Sequence, residues 1–290
     1  MVSYIDVPPG AVVDKVRDND TIRLYGPDAF EGMRAAGRLT AECLDGVAEV
    51  AKAGRPLSDI DDFVMEFARA HDTVPATLHY RGYGYACCTS LNHVVCHGFP
   101  RDRRLRDGDI VNVDVTLVLD GWHGDSSRMY PVGAVKVGAE RLCRITHKAL
   151  MLGIEAVRPG AMLSDIGRAI QTYAEGERCS VVRDFCGHGV GRLFHDAPNV
   201  LHYLADDANP AKRSYDAGNQ IELREGMLFT IEPMINLGKP AVKVLADGWT
   251  AVTRDRSLSA QYEHTIGVTA DGCEIFTLSP AGLDRPGFPD

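Results

Sequence analysis

The chain has 290 residues, of which 45% are hydrophobic and 24% charged, the composition of a globular protein with a sizeable core. Its formal net charge of −9 argues against a nucleic-acid-binding protein, and no apolar run approaches the roughly 20 residues that a membrane-spanning helix requires. The N-terminus shows no secretory signal, and eight scattered cysteines without a CxxC pair indicate reduced thiols. We therefore expect a cytoplasmic protein that contacts neither nucleic acid nor membrane directly.

The first periodic segments follow residues 1–26, which we interpret as an N-terminal extension. A capping box at Asp28 and Glu31 predicts the start of a helix that runs up to Gly54. Ser58 then begins a second amphipathic helix. Strands with alternating apolar residues come after this pair of helices.

The same order of elements returns later in the chain. One helix is predicted to end near Gly160, and Ser164 begins another. The connector GRPLSDI (54–60) shares five of seven residues with GAMLSDI (160–166). Such echoes in a common order predict an internal duplication. The expected boundaries are 1–26 for the extension, 27–290 for a single domain, and roughly 28–135 and 138–277 for two pseudo-repeats within that domain.

Two acidic residues interrupt the apolar pattern of VNVDVTLVLDGWHGDSSRMY (111–130). The Asp-Gly pair at 120–121 predicts a hairpin turn, which would place Thr116 opposite Asp125. Asp114 then lies on the same face, diagonal to Asp125 and about 7–8 Å from it at the backbone. Two carboxylates on one buried face repel each other and lose hydration, so this arrangement predicts a cation between them.

The second repeat supplies further groups of the same kind. Glu232 and Glu263 lie in alternating strand patterns, and His188 has a glycine on each side, which lets backbone and metal approach closely. Four carboxylates and one neutral imidazole carry a charge of about −4, which two divalent ions would cancel. Such ligands favour Mn²⁺, Fe²⁺ or Co²⁺, and Zn²⁺ is also compatible. Solvent-facing acids and a structural histidine are the alternative interpretation.

Taken together, these segments resemble a known family. DGDIVNVDVTLVLDGWHGDSSRMY, FCGHGVGRLFHDAPNVLHY, FTIEP and SLSAQYEHTI are similar to signature segments of type I methionine aminopeptidases, and the likeness runs from about Ile22 to Thr277. The resemblance implies an α/β (α+β) pita-bread fold, with two pseudo-symmetric halves whose helices pack around a central curved antiparallel sheet. It also implies a metal-dependent hydrolase that removes the initiator methionine from nascent proteins with a small second residue.

The resemblance assigns a role to each metal ligand. Asp114 is expected to bind one of two divalent ions, His188 and Glu232 the other, and Asp125 and Glu263 to bridge them. A water shared by the two ions would then attack the first peptide carbonyl at neutral pH.

Catalytic and substrate-binding residues follow from the same resemblance. Glu232 is the expected proton shuttle, His195 contacts the scissile amide, and His97 acts near the second residue of the substrate. The implied substrate-binding residues are Tyr80, Tyr83, Cys88, His97, Phe194, His195 and Trp249. A monovalent cation, Na⁺ or K⁺, is expected at Asn92, Val94 and Ser259.

This sequence departs from the family pattern at three places. Thr77 occupies a pocket position where cysteine is frequent, and His93 follows an asparagine where an acid is common. Extra residues around 204–217 are interpreted as a surface loop.

Two other functions remain as alternatives. An Xaa-Pro peptidase of the same fold usually carries a large N-terminal domain, for which we see no room before Asp28. A non-catalytic pita-bread binding protein would be expected to lose ligands, whereas all five ligand types are present. We therefore expect a monomer that acts on nascent peptides with an N-terminal methionine and associates transiently with the ribosome.

Overall fold

The computed structural model describes residues 3–6, 21–78, 80–204 and 221–288. Within these ranges the helices are α1 (Pro27–Val50), α2 (Ser58–Ala70), α3 (Val137–Glu155) and α4 (Leu163–Gly176), with a 3-10 turn at Tyr80–Gly82. The strands are β1 (Ser3–Asp6), β2 (Thr21–Leu24), β3 (Val74–Pro75), β4 (Cys88–Leu91), β5 (Val94–Cys96), β6 (Ile110–Leu119), β7 (Trp122–Pro131), β8 (Ser180–Val181), β9 (Gly187–Gly189), β10 (Asp196–Val200), β11 (Leu228–Ile231), β12 (Met234–Asn236), β13 (Val242–Val244), β14 (Ala251–Thr253), β15 (Ser259–Gln261), β16 (His264–Val268) and β17 (Cys273–Ile275). No helix in the described ranges is long and apolar enough to span a membrane.

Helix α1 starts differently from the prediction. It begins at Pro27, its N-cap is Gly26, and no side chain caps its first turn, so the predicted capping box at Asp28 and Glu31 is wrong. Proline initiates the helix because its fixed φ suits the first position, where the missing N–H has no partner to lose. Asp28 lies in the first turn, where its charge favours the positive end of the helix dipole.

Helix α4 begins at Leu163, one residue before the predicted Ser164. Its first turn is closed by the carboxylate of Asp165, which accepts a hydrogen bond from the N–H of Met162 at 3.0 Å. The predicted start of α2 at Ser58 is confirmed.

The two echoed connectors form the same hydrogen bonds. Gly54 donates its N–H to the carbonyl of Leu105 at 2.8 Å, and Gly160 donates to Leu223 at 2.9 Å. Both glycines have positive φ, +88° and +83°, a conformation that other residues rarely adopt. The duplication predicted from sequence is therefore also present in backbone conformation.

The glycines that precede the acidic strands repeat in the same way. Gly108 and Gly226 both have φ of +90°. The N–H of Gly108 donates to Val132 at 2.8 Å, and that of Gly226 donates to Val268 at 2.9 Å. Each half thus begins the strand that leads to one of its acids, β6 or β11, from the same turn.

Antiparallel ladders connect the strands, in the orders β3-β6-β4 with β7 also on β6, β10-β9-β11-β16-β17, β15-β12-β8, β13-β14-β5 and β1-β2. Each pair of helices covers one half of this sheet system and has its own apolar core. Leu44 and Ile60 lie in the core of the first half, and Leu150, Ile166 and Phe229 in that of the second. Two smaller apolar clusters lie beside these cores, and in one of them Phe30 of α1 packs with Leu228 and Phe276 of the second half, which joins the two halves.

Part of the predicted extension packs against the main body. Strand β2 pairs with β1, and Ile22 is buried in the core of the second half. Residues 7–20 and 205–217, the latter most of the predicted surface loop, lie outside the described residues. The domain boundaries stay predictions.

Helix α4 contacts the backbone of residues 201–203, and Gly167 is the helix residue at the point of contact. A Cβ at this position would lie 2.7 Å from the carbonyl oxygen of Tyr203 and 2.8 Å from that of Leu201. Both obstacles are backbone atoms, so the helix would have to move away. The lack of a side chain at Gly167 therefore allows the close contact that places His202 in the interior.

We predict that Gly167→Ala lowers the free energy of unfolding by about 1–3 kcal/mol, the usual cost of overpacking. Gly176→Ala in the same helix is the matched control, because nothing lies within 4 Å of its added Cβ. Alanine also has the higher helix propensity, so the control should be unchanged or slightly stabilised. Urea unfolding followed by circular dichroism measures both variants, and equal stability of the two would contradict the packing described here.

Candidate active site

The predicted β6–β7 hairpin is confirmed. Asp120 and Gly121 have φ of +50° and +77°, as the tight two-residue turn requires. In the resulting register Thr116 lies opposite Asp125, and its hydroxyl donates to the Asp125 carboxylate at 2.6 Å. Asp114 is paired with the residue two positions beyond Asp125, so the two acids are diagonal neighbours on one face.

The two halves of the chain meet beside Asp125. Glu263 forms an antiparallel bridge with Ser127 and donates its N–H to the Ser127 carbonyl at 3.0 Å. The Ser126 hydroxyl donates to the Glu263 carbonyl, and the Thr265 hydroxyl donates to the Asp125 carbonyl, both at 2.7 Å. These cross-links between β7 and the start of β16 bring one acid from each half together.

His188 enters this region from β9. Added Cβ atoms at Gly187 and Gly189 would overlap the carbonyl oxygens of Thr230 and Ala197, so glycine is needed on both sides of the histidine. The Nδ1 atom of His188 lies 3.1 Å from the carbonyl of Gly189. Because this contact suits an Nδ1 hydrogen, the Nε2 lone pair is directed at the acids.

The Nε2 atom of His188 is close to two carboxylates. It lies 3.5 Å from Asp125 Oδ2 and 3.7 Å from Glu232 Oε1. Asp125, His188 and Glu263 each offer a ligand atom within 4.8 Å of the other two. This is a spacing at which one cation could contact all three groups.

Three side chains hold Glu232, which directly follows β11. The Thr230 hydroxyl donates to Oε1 at 2.9 Å, and the Gln261 amide donates to Oε2 at 3.2 Å. The N–H of Glu232 donates to His202 Nε2 at 3.1 Å. His202 is fully buried, and burial lowers its pKa to about 3, so the ring is neutral. Sequence reasoning missed these supporting residues, because no local pattern distinguishes them from ordinary core or strand residues.

Burial makes the ionised form of all four acids unfavourable. It raises the pKa of Asp114 to about 7. The pKa values of Asp125, Glu232 and Glu263 are raised well above the usual range, first by burial and then by the charges of neighbouring carboxylates. Among the described residues, no Lys or Arg forms an ion pair with these acids. Divalent cations fit this set of donors, because they supply the missing positive charge and accept oxygen and imidazole ligands.

An aromatic group lies beside His188. The rings of His188 and His195 are 4.1 Å apart between centroids. Tyr80 stacks on His195 at 5.1 Å and meets Phe194 edge-on at 5.0 Å. Three of the predicted substrate-binding residues therefore form one cluster next to the predicted metal ligands.

A second aromatic group contains the other predicted pocket residues. Trp249 meets Tyr83 at 5.1 Å and His97 at 5.9 Å between ring centroids. Burial lowers the pKa of His97 to about 4, so its imidazole is neutral. Cys88, on β4, is buried and pairs across the ladder with Asp114. This places Cys88 between the aromatic residues and the acids.

The three residues predicted for a monovalent cation lie on adjoining segments. Asn92 has φ of +55°, and its carbonyl accepts a hydrogen bond from the N–H of Ser259 at 2.9 Å. Val94 begins β5, two residues later. The role of these residues stays a prediction.

The two residues that depart from the family pattern have different surroundings. Thr77 is buried and donates its hydroxyl to the carbonyl of Tyr85 at 3.0 Å, so its polar group is directed at the backbone. His93 lines a surface cavity of about 260 Å³ together with Phe99, Arg101 and Leu245.

Comparison with known families gives a consistent result. A family model described as metallopeptidase family M24 matches residues 31–270. A curated methionine aminopeptidase of Rickettsia prowazekii is 52% identical over 269 residues, which cover 92% of this chain and 100% of the relative. The crystal structure of methionine aminopeptidase from the same species has a TM-score of 0.83 at 51% identity, covering 89% of this chain and 100% of that one.

Two further structures bear on the fold. A methionine aminopeptidase from Thermotoga maritima has a TM-score of 0.82 at 38% identity, covering 88% of this chain and 99% of that one. A prolidase from Pyrococcus furiosus reaches 0.67 at 18% identity and covers 88% of this chain but 65% of its own, a likeness that extends to the fold alone. The predicted pita-bread fold is thereby confirmed.

We predict that Asp114→Asn stabilises the metal-free protein increasingly as the pH rises. Burial raises the folded-state pKa of Asp114 to about 7, whereas an unfolded aspartate titrates near about 3.9. Between these values the folded parent must hold a proton that the unfolded chain releases, so its stability falls with rising pH by up to about 1.4 kcal/mol per unit. Asparagine does not titrate.

Urea unfolding in the presence of a chelator, at pH values from about 4 to 8, measures this difference directly. The charge of Asp114 also raises the pKa of Asp125, Glu232 and Glu263, so its removal eases their ionisation and adds to the difference in the same direction. A stability difference that does not change with pH would show that Asp114 ionises without cost.

Proposed function

The chain belongs to metallopeptidase family M24, as one of its methionine aminopeptidases, and we propose that it removes the initiator methionine from nascent proteins whose second residue is small. The observation that carries this proposal is the group of Asp125, His188 and Glu263, whose ligand atoms lie within 4.8 Å of one another beside two clusters of aromatic residues. A metal-binding group next to an apolar pocket suits hydrolysis of a peptide bond that follows an apolar side chain.

Two divalent ions, from among Co²⁺, Mn²⁺, Fe²⁺ and Zn²⁺, are the proposed cofactors. Asp114 would hold one ion, His188 and Glu232 the other, and Asp125 and Glu263 would bridge the pair. The raised pKa values of the four acids support cation binding at this group, because each carboxylate needs a compensating positive charge. When bound, the ions supply the charge that acidifies a water and polarises the first peptide carbonyl.

The protein's own groups then move protons and stabilise charge. Glu232 accepts a proton and passes it to the leaving nitrogen, while the donors Thr230 and Gln261 keep its carboxylate in one orientation. His195, beside His188, donates a hydrogen bond to the scissile amide. His97 is neutral, so it donates to the backbone near the second residue without adding charge.

The two aromatic clusters form the methionine pocket in this proposal. Tyr80 and Phe194 form one wall, and Tyr83 with Trp249 the other, with Cys88 at the base. Aromatic rings suit a thioether, because sulfur–aromatic contacts contribute about 0.3–1.5 kcal/mol each. The size and flexibility of the methionine side chain match such a site better than those of a charged residue.

We propose a monomeric cytoplasmic enzyme that associates transiently with the ribosome, where its nascent substrates emerge. A monovalent cation, Na⁺ or K⁺, would bind at Asn92, Val94 and Ser259, where the contact between Asn92 and Ser259 supports a shared site.

We predict that the purified protein, reloaded with Mn²⁺ or Co²⁺, releases methionine from Met-Ala-Ser. Xaa-Pro peptides serve as the comparison substrates, since a prolidase shares the fold. Amino-acid release is measured by chromatography, with metal-free protein as the control. Failure to release methionine with any divalent ion, or faster cleavage of Xaa-Pro peptides, would overturn the proposal.

We predict that His195→Ala lowers turnover by about 10²–10³-fold, the usual cost of removing one donor to developing charge. Metal content should stay at the parent level, because His195 is not a proposed ligand. Asp125→Asn is the matched control and should lose metal. Elemental analysis and peptide assays on the same samples separate these effects, and metal loss in His195→Ala equal to that in Asp125→Asn would make His195 a ligand.

A further inference from the structure

Glu232 lies where the chain leaves one sheet and enters another. Strand β11 pairs with β16 as far as Ile231, opposite His264. Strand β12 pairs with β15 from Met234 onward, opposite Gln261. Glu232 and Pro233 fall between these two ladders, so neither ladder supplies a partner for the N–H of Glu232. Pro233 has no N–H, which leaves the partly buried N–H of Glu232 as the backbone donor at the break.

His202 accepts that donor. Its Nε2 atom lies 3.1 Å from the Glu232 nitrogen, and its side chain is fully buried. A histidine that accepts at Nε2 carries its hydrogen at Nδ1, so the interaction requires one tautomer of a neutral ring. His202 follows β10. The backbone on either side of it, at Leu201 and Tyr203, lies against Gly167 of α4.

The carboxylate of Glu232 is oriented separately from its backbone. Thr230 donates to one oxygen and Gln261 to the other, while the Thr230 hydroxyl also accepts the N–H of His188 at 3.0 Å. These contacts set the rotation of the side chain. At the main chain, Gln261 also donates to the Glu232 carbonyl at 3.4 Å, whereas His202 is the described side chain that accepts the Glu232 N–H.

We propose that His202 is a positioning residue for Glu232, which holds the chain between the two ladders so that the Glu232 carboxylate meets His188. The inference rests on the proposed function for its catalytic consequence, because Glu232 is there assigned as ligand and proton shuttle. Removing a residue that hydrogen-bonds to a metal ligand usually lowers metal affinity or activity by 10- to 100-fold.

The test compares His202→Gln with His202→Met. The Gln side chain places an amide oxygen near the position of Nε2 and keeps an acceptor, whereas Met fills similar volume without one. We expect His202→Met to weaken Co²⁺ binding, measured by calorimetry, by about 10- to 100-fold. For His202→Gln we expect the Co²⁺ affinity to stay within about threefold of the parent value, a loss well below 10- to 100-fold. For Met-Ala-Ser, the loss in His202→Met should appear in kcat more than in KM, since the methionine pocket is untouched.

A second readout needs neither metal nor activity. In metal-free protein labelled with ¹⁵N-glutamate, the amide signal of Glu232 is identified by its absence from Glu232→Gln. Its hydrogen exchange should accelerate in His202→Met and stay close to the parent rate in His202→Gln. Should His202→Met not fold, His202→Asn replaces it, because its amide is one carbon too short to reach the N–H.

The outcomes separate the two proposals. Parent-like Co²⁺ affinity and amide exchange in His202→Met, or equal losses in His202→Met and His202→Gln, would overturn the positioning role. A parent protein that releases no methionine, yet shows the predicted difference between the two variants in Co²⁺ binding and exchange, would contradict the proposed function and leave the positioning role supported.

Discussion

Four neighbouring carboxylates held away from water are the constraint on which the rest of the structure depends. Burial raises the pKa of Asp114, Asp125, Glu232 and Glu263, and the charges of neighbouring carboxylates raise those of Asp125, Glu232 and Glu263 further. Apolar packing cannot orient such groups, so backbone ladders and neutral hydroxyl and amide donors hold them. The protein thus maintains a preorganised set of acids whose repulsion is relieved when cations bind, which couples metal binding to stability.

The duplication explains how one chain builds this arrangement. Each half has its own helices and apolar core, and each begins its acidic strand from a glycine with φ of +90°, Gly108 or Gly226. The first half carries two of the five predicted ligands and the second half carries three. Because neither half contains the full set, the site exists only where β7 meets the start of β16.

Local features of the sequence were the most predictable ones. The register of the β6–β7 hairpin followed from the Asp-Gly turn and the alternation of side chains, and the structure confirms it. The capping box at Asp28 was wrong because Pro27 can start the helix by itself. His202 and Gln261 were missed, since their contacts with Glu232 depend on where the chain passes between two ladders.

The sequence by itself determined the four long helices, the β6–β7 hairpin with its pairing of Thr116 with Asp125, the duplication and the resemblance to the family. These depend on residues that are near in the chain or on motifs that stand in a characteristic order. Only the tertiary structure decided which groups surround each acid, such as Ser126 beside Glu263 and His202 beside the Glu232 backbone. Those contacts join segments far apart in the chain, and they form because the two cores pack their strands against one another, which no local pattern encodes.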